Sequence, residues 1–446
     1  MRPKLEHREQ VLDPRQDDAA ISRELGTILA QPASRAWWLS FALSGLGALL
    51  FFGTAAALFT AGVGIWGINT SVVWGFDIIN YVWWIGIGNA GTLISAMLYL
   101  TRQPWRTSIN RFAEAMTLLA ASIAGLFPIM HMGRPYLFYW LAPYPSVMGV
   151  APQFRSPLVW DMFAILAYIL VSALFWYAGL IPDLATLRDR ASSLRGQRIY
   201  GILALGWRGS ARHWQRHEQA YTPMAALAVP LVVSVHSVVG YDFSTSLVPG
   251  WRSTLFAPFF VVGAMFSGFA MVVLISLALR AALGLGAYIG PAHFDAMAKI
   301  MLAAAWLMGY AYGMELFAAW YQGDPDEIRA MLHSLYGPYA PAYWGMLSCN
   351  VLAPQVFWWP QLRRCVPVLI VVAVLVCFGM WLERFVIVVG GLSQGYVPTQ
   401  FRLYVPTFWD WTALLGSFGL FLWLFLLVAR FLPMLPLHEL NSTLSD

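Results

Sequence analysis

Residues 158–181 read LVWDMFAILAYILVSALFWYAGLI, and the fold class follows from these 24 residues. About 20 apolar residues in a helix that rises about 1.5 Å per residue cross the hydrocarbon of a bilayer. This stretch is long enough, and Pro182–Asp183 follows it as a stop signal. It holds one charge, Asp161, close to its start. The segment therefore reads as a membrane span with an acid near one end.

Along the rest of the chain, the same length rule marks spans at roughly 37–66, 74–100, 112–132, 158–181, 222–241, 256–287, 296–320, 341–360, 366–390 and 407–432. The expected fold is an all-α polytopic membrane protein of about ten transmembrane helices. Composition agrees: 59% of the 446 residues are hydrophobic and 11% charged, against about 45–50% and about 25% in soluble domains. A soluble enzyme is excluded. The three cysteines, Cys349, Cys365 and Cys377, form no CxxC pair, so no thiolate metal site is expected. Residues 1–36 mix both charge signs without an apolar core, which argues against a cleaved signal peptide.

An even number of spans puts both termini on one side. Of the 27 Lys and Arg residues, 21 fall on that side and six on the other. Cytoplasmic loops carry such an excess, so both termini are expected in the cytoplasm. The loop 182–221 alone holds Arg188, Arg190, Arg195, Arg198, Arg208, Arg212 and Arg216 around apolar Ile199–Leu205. It reads as an interfacial segment against anionic lipid headgroups. Such loops account for the net charge of +5, and no basic–aromatic cluster suggests nucleic acid.

With the orientation set, the ionisable residues of the spans fall toward the periplasmic face: Asp77, His131, Asp161, His236, Asp242, Glu315 and the pair Glu383–Arg384. Charges inside a membrane cost about 2.5–3.5 kcal/mol on insertion scales and usually face a site or one another. Interfacial wetting accounts equally well for Asp242 and Glu383–Arg384. His131 with Asp161 supplies a proton acceptor and a carboxylate able to hold it in one tautomer. Pro128 and Pro230 lie shortly before His131 and His236, and each frees a backbone carbonyl. Gly86, Gly88, Gly91, Thr92 and Ser95 read as a small-residue packing face. Of eight histidines only His131 and His236 lie within spans, whereas two bis-histidine haems across the bilayer need four. The cytoplasmic half offers only Glu114, Asp295 and Lys299, each near a helix start. What remains is proton exchange with a lipid-soluble substrate or an ion.

Several stretches carry a resemblance. Asn80–Ser95 (NYVWWIGIGNAGTLIS) and Trp105–Met116 (WRTSINRFAEAM) resemble the polysulfide reductase NrfD (PsrC) family. Phe127–Pro135 (FPIMHMGRP), Phe154–Asp161 (FRSPLVWD), Leu180–Arg190, Ser234–Phe243 and Met380–Ile387 resemble its ActC branch, the membrane subunits of bacterial alternative complex III. The resemblance runs collinearly from about Trp37 to Arg430. It implies a first helix (37–73), a four-helix bundle of spans 2–5 (74–241) holding a quinol pocket, a second bundle of spans 6–9 (242–390), and a last helix (391–446). His131 and Asp161 match the quinol-binding pair, for menaquinol or ubiquinol. Asp77, Asn89, Arg134, His236, Asp242, Glu315, Glu383 and Arg384 match pocket surroundings or proton routes. The implied setting is the bacterial inner membrane. The implied partners are a periplasmic iron–sulfur subunit, a second NrfD-like paralogue, multihaem cytochrome c subunits and membrane lipid, with no haem or cluster on this chain. Three positions depart from the pattern: Asn89 and Arg252 stand where histidines are usual, and Ser393–Tyr396 replaces a more polar stretch.

The expected function is thus quinol oxidation with electrons passed to the iron–sulfur partner. Two rivals share the fold: the membrane anchor of a molybdopterin oxidoreductase of polysulfide or DMSO reductase type, and a quinone-free proton-conducting or structural paralogue. A secondary transporter would carry its polar groups at the midplane.

Overall fold

The computed structural model describes residues 32–141, 154–191 and 193–436. The expected N-terminal segment 1–36 falls mostly outside them, as does the end of the C-terminal segment. The described residues are helical, with no strand among them. Long helices are α1 (Arg35–Ala61), α2 (Phe76–Leu100), α3 (Asn110–His131) and α4 (Pro157–Arg190). A short α5 (Leu194–Leu203) precedes α6 (Ala211–Ser244), α7 (Phe256–Leu283) and α8 (Pro291–Gln322). Then come α9 (Pro325–Tyr336), α10 (Ala340–Leu347), α11 (Pro360–Arg363), α12 (Val366–Phe385) and α13 (Phe408–Phe431). Eight of the described helices are long and apolar enough to cross a membrane, and the chain is a polytopic membrane protein.

The other two expected spans differ for physical reasons. The second is α2, a 25-residue helix with nearly every side chain buried. Enclosed by α3, α6, α7 and α12, it carries polar and small residues that a lipid-facing helix would not tolerate. The eighth is interrupted. α10 gives way to a π turn at Ser348–Leu352 and a 3₁₀ turn at Ala353–Trp358. Pro354 cannot donate to the helix ladder, and the buried Asn350 amide instead donates to the Tyr312 hydroxyl at 2.9 Å. Pro182, expected to act as a stop, lies inside α4, which continues to Arg190. The loop expected at 182–221 therefore shortens to the stretch between α4 and α6, with α5 inside it.

Around α2, the helices α3, α4 and α6 pack in sequence, and α7 joins them to α8 and α12. α1 and α13 form an outer pair at glycine contacts, where a Cβ on Gly47 would come within 2.8 Å of the Gly419 Cα. The small residues of α2 do not share one face. Gly88 and Gly91 meet α3, Gly86 looks toward His236 and Ser267, and Thr92 bonds Ser172 of α4 at 3.0 Å. Gly91 sits so close to α3 that a Cβ there would lie 2.0 Å from the Ala113 carbonyl oxygen.

Candidate functional site

Four helix ends converge where α2 begins. The N-terminal turns of α2 carry Asp77 and Tyr81, four residues apart and hence on one face. His131 closes α3 and Asp161 lies in the second turn of α4. The Tyr81 hydroxyl donates to Asp161 Oδ2, and His131 Nδ1 pairs with Asp77 Oδ2. The carboxylate that orients His131 is thus Asp77, not Asp161 as the sequence suggested. Asp77 is itself fixed, because its Oδ1 accepts the Gly75 N–H at 3.0 Å. Tyr81, absent from the sequence-derived set, is the group that holds Asp161. Its signal was the i, i+4 spacing from Asp77.

The loop after α12 closes this end. The Tyr404 hydroxyl accepts the Phe76 N–H at 3.2 Å, and a Cβ on Gly75 would collide with the Tyr404 ring. Burial, with Asp410 alongside, pushes the Tyr404 hydroxyl well above its usual range, so it stays neutral. Asp242, near the end of α6, lies within electrostatic reach of both Asp161 and Tyr81. Asp161 Oδ1 and Asp242 Oδ1 are buried and have no hydrogen-bond partner among the described residues. Two acceptors in one region call for a donor that the described residues do not provide.

The remaining expected residues form separate groups. Asn89 donates to the Val232 carbonyl at 3.0 Å and contacts His236 Nδ1, while His236 Nε2 is left without a partner among the described residues. Glu383 pairs with Arg384 and accepts from the Tyr312 hydroxyl, and the Arg384 guanidinium lies 4.2 Å over the Phe260 ring. Both are buried, so the interfacial reading of this pair is corrected: they are core groups, and Arg384 lies within electrostatic reach of His236. Glu315 lines a cavity of about 290 Å³ between the α6–α7 loop, the end of α8, and α9. Arg134, just past α3, is exposed. Arg252 bonds the Tyr396 hydroxyl.

The opposite end is more polar than expected. Glu114, which the sequence places near the interface, is 2% exposed and accepts from Ser95 and from Tyr221, the latter at 3.4 Å. Arg111 bridges it, at 3.6 Å, to Asp183 at 3.0 Å. Between the two ends lie Thr92, Thr117, Tyr168 and Ser172, all buried. Among the described residues no group of three or more His, Cys, Asp or Glu could hold a metal ion.

This arrangement of buried acids and hydroxyls around a central helix coincides with a family match. The profile of the polysulphide reductase NrfD family matches residues 65–395, most of the chain. The chain belongs to the NrfD family. It is 28% identical over 239 residues to a protein of Halobacterium salinarum described as a putative membrane subunit of dimethyl sulfoxide reductase, covering 51% of each. It is 26% identical over 210 residues to a selenate reductase subunit of Mesobacillus selenatarsenatis, covering 45% of this chain and 47% of that one. The chain thus aligns with about half the length of each relative.

Proposed function

We propose that this chain is the quinone-exchanging membrane subunit of a multi-subunit oxidoreductase, with its redox site at Tyr81, Asp161, Asp77 and His131. The observation that carries this is Asp161 Oδ1, a buried acceptor with no donor among the described residues, beside a carboxylate oxygen already fixed by Tyr81. A hydroxyl-bearing ring meets that need, so the residues present fit a quinol. Bound there, a quinol supplies two electrons and two phenolic hydrogens. Asp161 Oδ1 receives one such hydrogen bond and holds the proton. Tyr81 keeps the carboxyl in one rotamer throughout. Asp77 fixes Nδ1 of His131, so that Nε2 accepts the second phenolic hydrogen. Asp242, close by, offers the next carboxylate for a departing proton. Electrons leave to a partner subunit with iron–sulfur clusters at the same end. That end faces the periplasm, and the chain sits in the inner membrane with both termini cytoplasmic. In this reading the domains are the bundle 74–241, with the site, and the bundle 242–390.

The printed names of the two relatives favour a reductase assembly, in which this chain anchors a molybdopterin enzyme. The second reading, an alternative complex III-like quinol oxidase with a paralogue and multihaem cytochromes, is favoured by the stretches Phe127–Pro135 and Phe154–Asp161. Molybdenum in the purified complex supports the first, and covalently bound haem the second. For the site itself, Asp161→Asn is the test. A well-placed proton acceptor contributes about 10²–10⁴-fold. Quinol-dependent reduction of the complex's acceptor should therefore fall at least about a hundredfold with the protein still assembled. An unchanged rate would remove Asp161 from the mechanism.

A further inference from the structure

The 290 Å³ cavity lies away from the redox site, and its charges have no role in the proposed mechanism. Its wall is built. Trp251 is buried and donates its indole N–H to the Ile387 carbonyl at 2.7 Å. Gly391 beside it admits no side chain, because a Cβ would lie 2.2 Å from the Trp251 Nε1. Glu327, from the amphipathic α9, is clamped by one oxygen, as Oε2 accepts the Gly250 N–H at 3.0 Å. Its Oε1 is buried and has no partner among the described residues. Glu315 enters the same space from α8 and makes no hydrogen bond among the described residues. Arg252 is exposed at the rim, its guanidinium on the Tyr396 hydroxyl.

Two carboxylates facing one cavity, with the nearby guanidinium held at its rim, call for a compact cation rich in N–H donors. A primary ammonium provides three. The cavity's depth suggests where that ammonium comes from. The last turns of α8 expose Phe317, Trp320 and Tyr321, the aromatic signature of the membrane–water boundary where lipid headgroups lie. A headgroup with an ammonium for Glu315 and Glu327 and a phosphate for Arg252 matches the order of charges from interior to rim. We propose that this cavity binds the headgroup of an aminophospholipid, with its ammonium between Glu315 and Glu327.

The test uses the full chain in its purified complex. The complex is exchanged into bilayers holding equal amounts of phosphatidylethanolamine, phosphatidylcholine and phosphatidylglycerol, washed in mild detergent, and its retained lipid quantified by mass spectrometry. Trimethylation removes every N–H donor, so the ethanolamine lipid should be retained at least about tenfold over the choline lipid, as one charge-assisted hydrogen bond would give. Glu327→Gln, at unchanged melting temperature, should abolish that preference. Equal retention of all three lipids marks an ordinary lipid annulus and overturns the proposal. So does a carbodiimide cross-link from Glu315 or Glu327 to a lysine of a co-purifying protein without retained ethanolamine lipid, which assigns the cavity to a protein partner. Because the wild-type lipid comparison needs no redox assay, the proposal fails or stands independently of the quinone site.

Discussion

At the scale of single residues, Asp161 and His131 stand out in the sequence because a charge in an apolar run is visible in one dimension. The partner of Asp161 does not. Tyr81 is one of 19 tyrosines, and only the helical geometry of α2 sets it one turn from Asp77 and against Asp161. Hydroxyl groups such as Thr117 and Ser172 leave no trace either, because they barely change hydropathy. Arg111 and its partner Asp183 fall just outside the expected spans 112–132 and 158–181, Asp183 because it follows a proline that does not end its helix. If Tyr81 acts by holding Asp161, Tyr81→Phe should slow quinol-dependent turnover by about ten- to a hundredfold, the worth of a hydrogen bond to a charged group. The same change made on an Asp161→Asn background should add almost nothing, since residues in one network couple. Full additivity in steady-state kinetics would separate Tyr81 from Asp161.

At the scale of elements, the long apolar helices are legible from length alone, whereas α2 and the interrupted eighth span depend on tertiary surroundings. α2 is enclosed, so its sequence follows the demands of close packing rather than those of lipid. Its residues serve several neighbours, with Gly91 against Ala113 and Ala90 against Gly268 of α7. The surface helix α9 is short and amphipathic, a pattern that a search for 20-residue apolar runs passes over. Packing at Gly91 leads to a concrete expectation. Gly91→Leu should destabilise the protein by about 1–3 kcal/mol, as overpacking does. Gly53→Leu on α1, where a Cβ meets nothing within 4 Å, should be neutral. Thermal unfolding of the two variants in detergent compares them directly, and equal melting temperatures would contradict the close approach of α2 and α3.

At the scale of the whole molecule, the charge count and the family resemblance lead to the same arrangement by different routes. One rests on where arginines lie in loops, the other on motifs such as Phe127–Pro135. The match to the NrfD family over residues 65–395 makes the membership firm. The proposed quinone ring lies where α2 begins, between α3 and α4, and not in the cavity beside Glu315. Photolabelling the native complex with an azidoquinone, followed by peptide mapping, locates that ring. Adducts are expected on the peptides that carry Tyr81, His131 or Asp161, suppressed by excess unlabelled quinone. Competable labelling confined to the peptides around Glu315 and Glu327 would refute this placement.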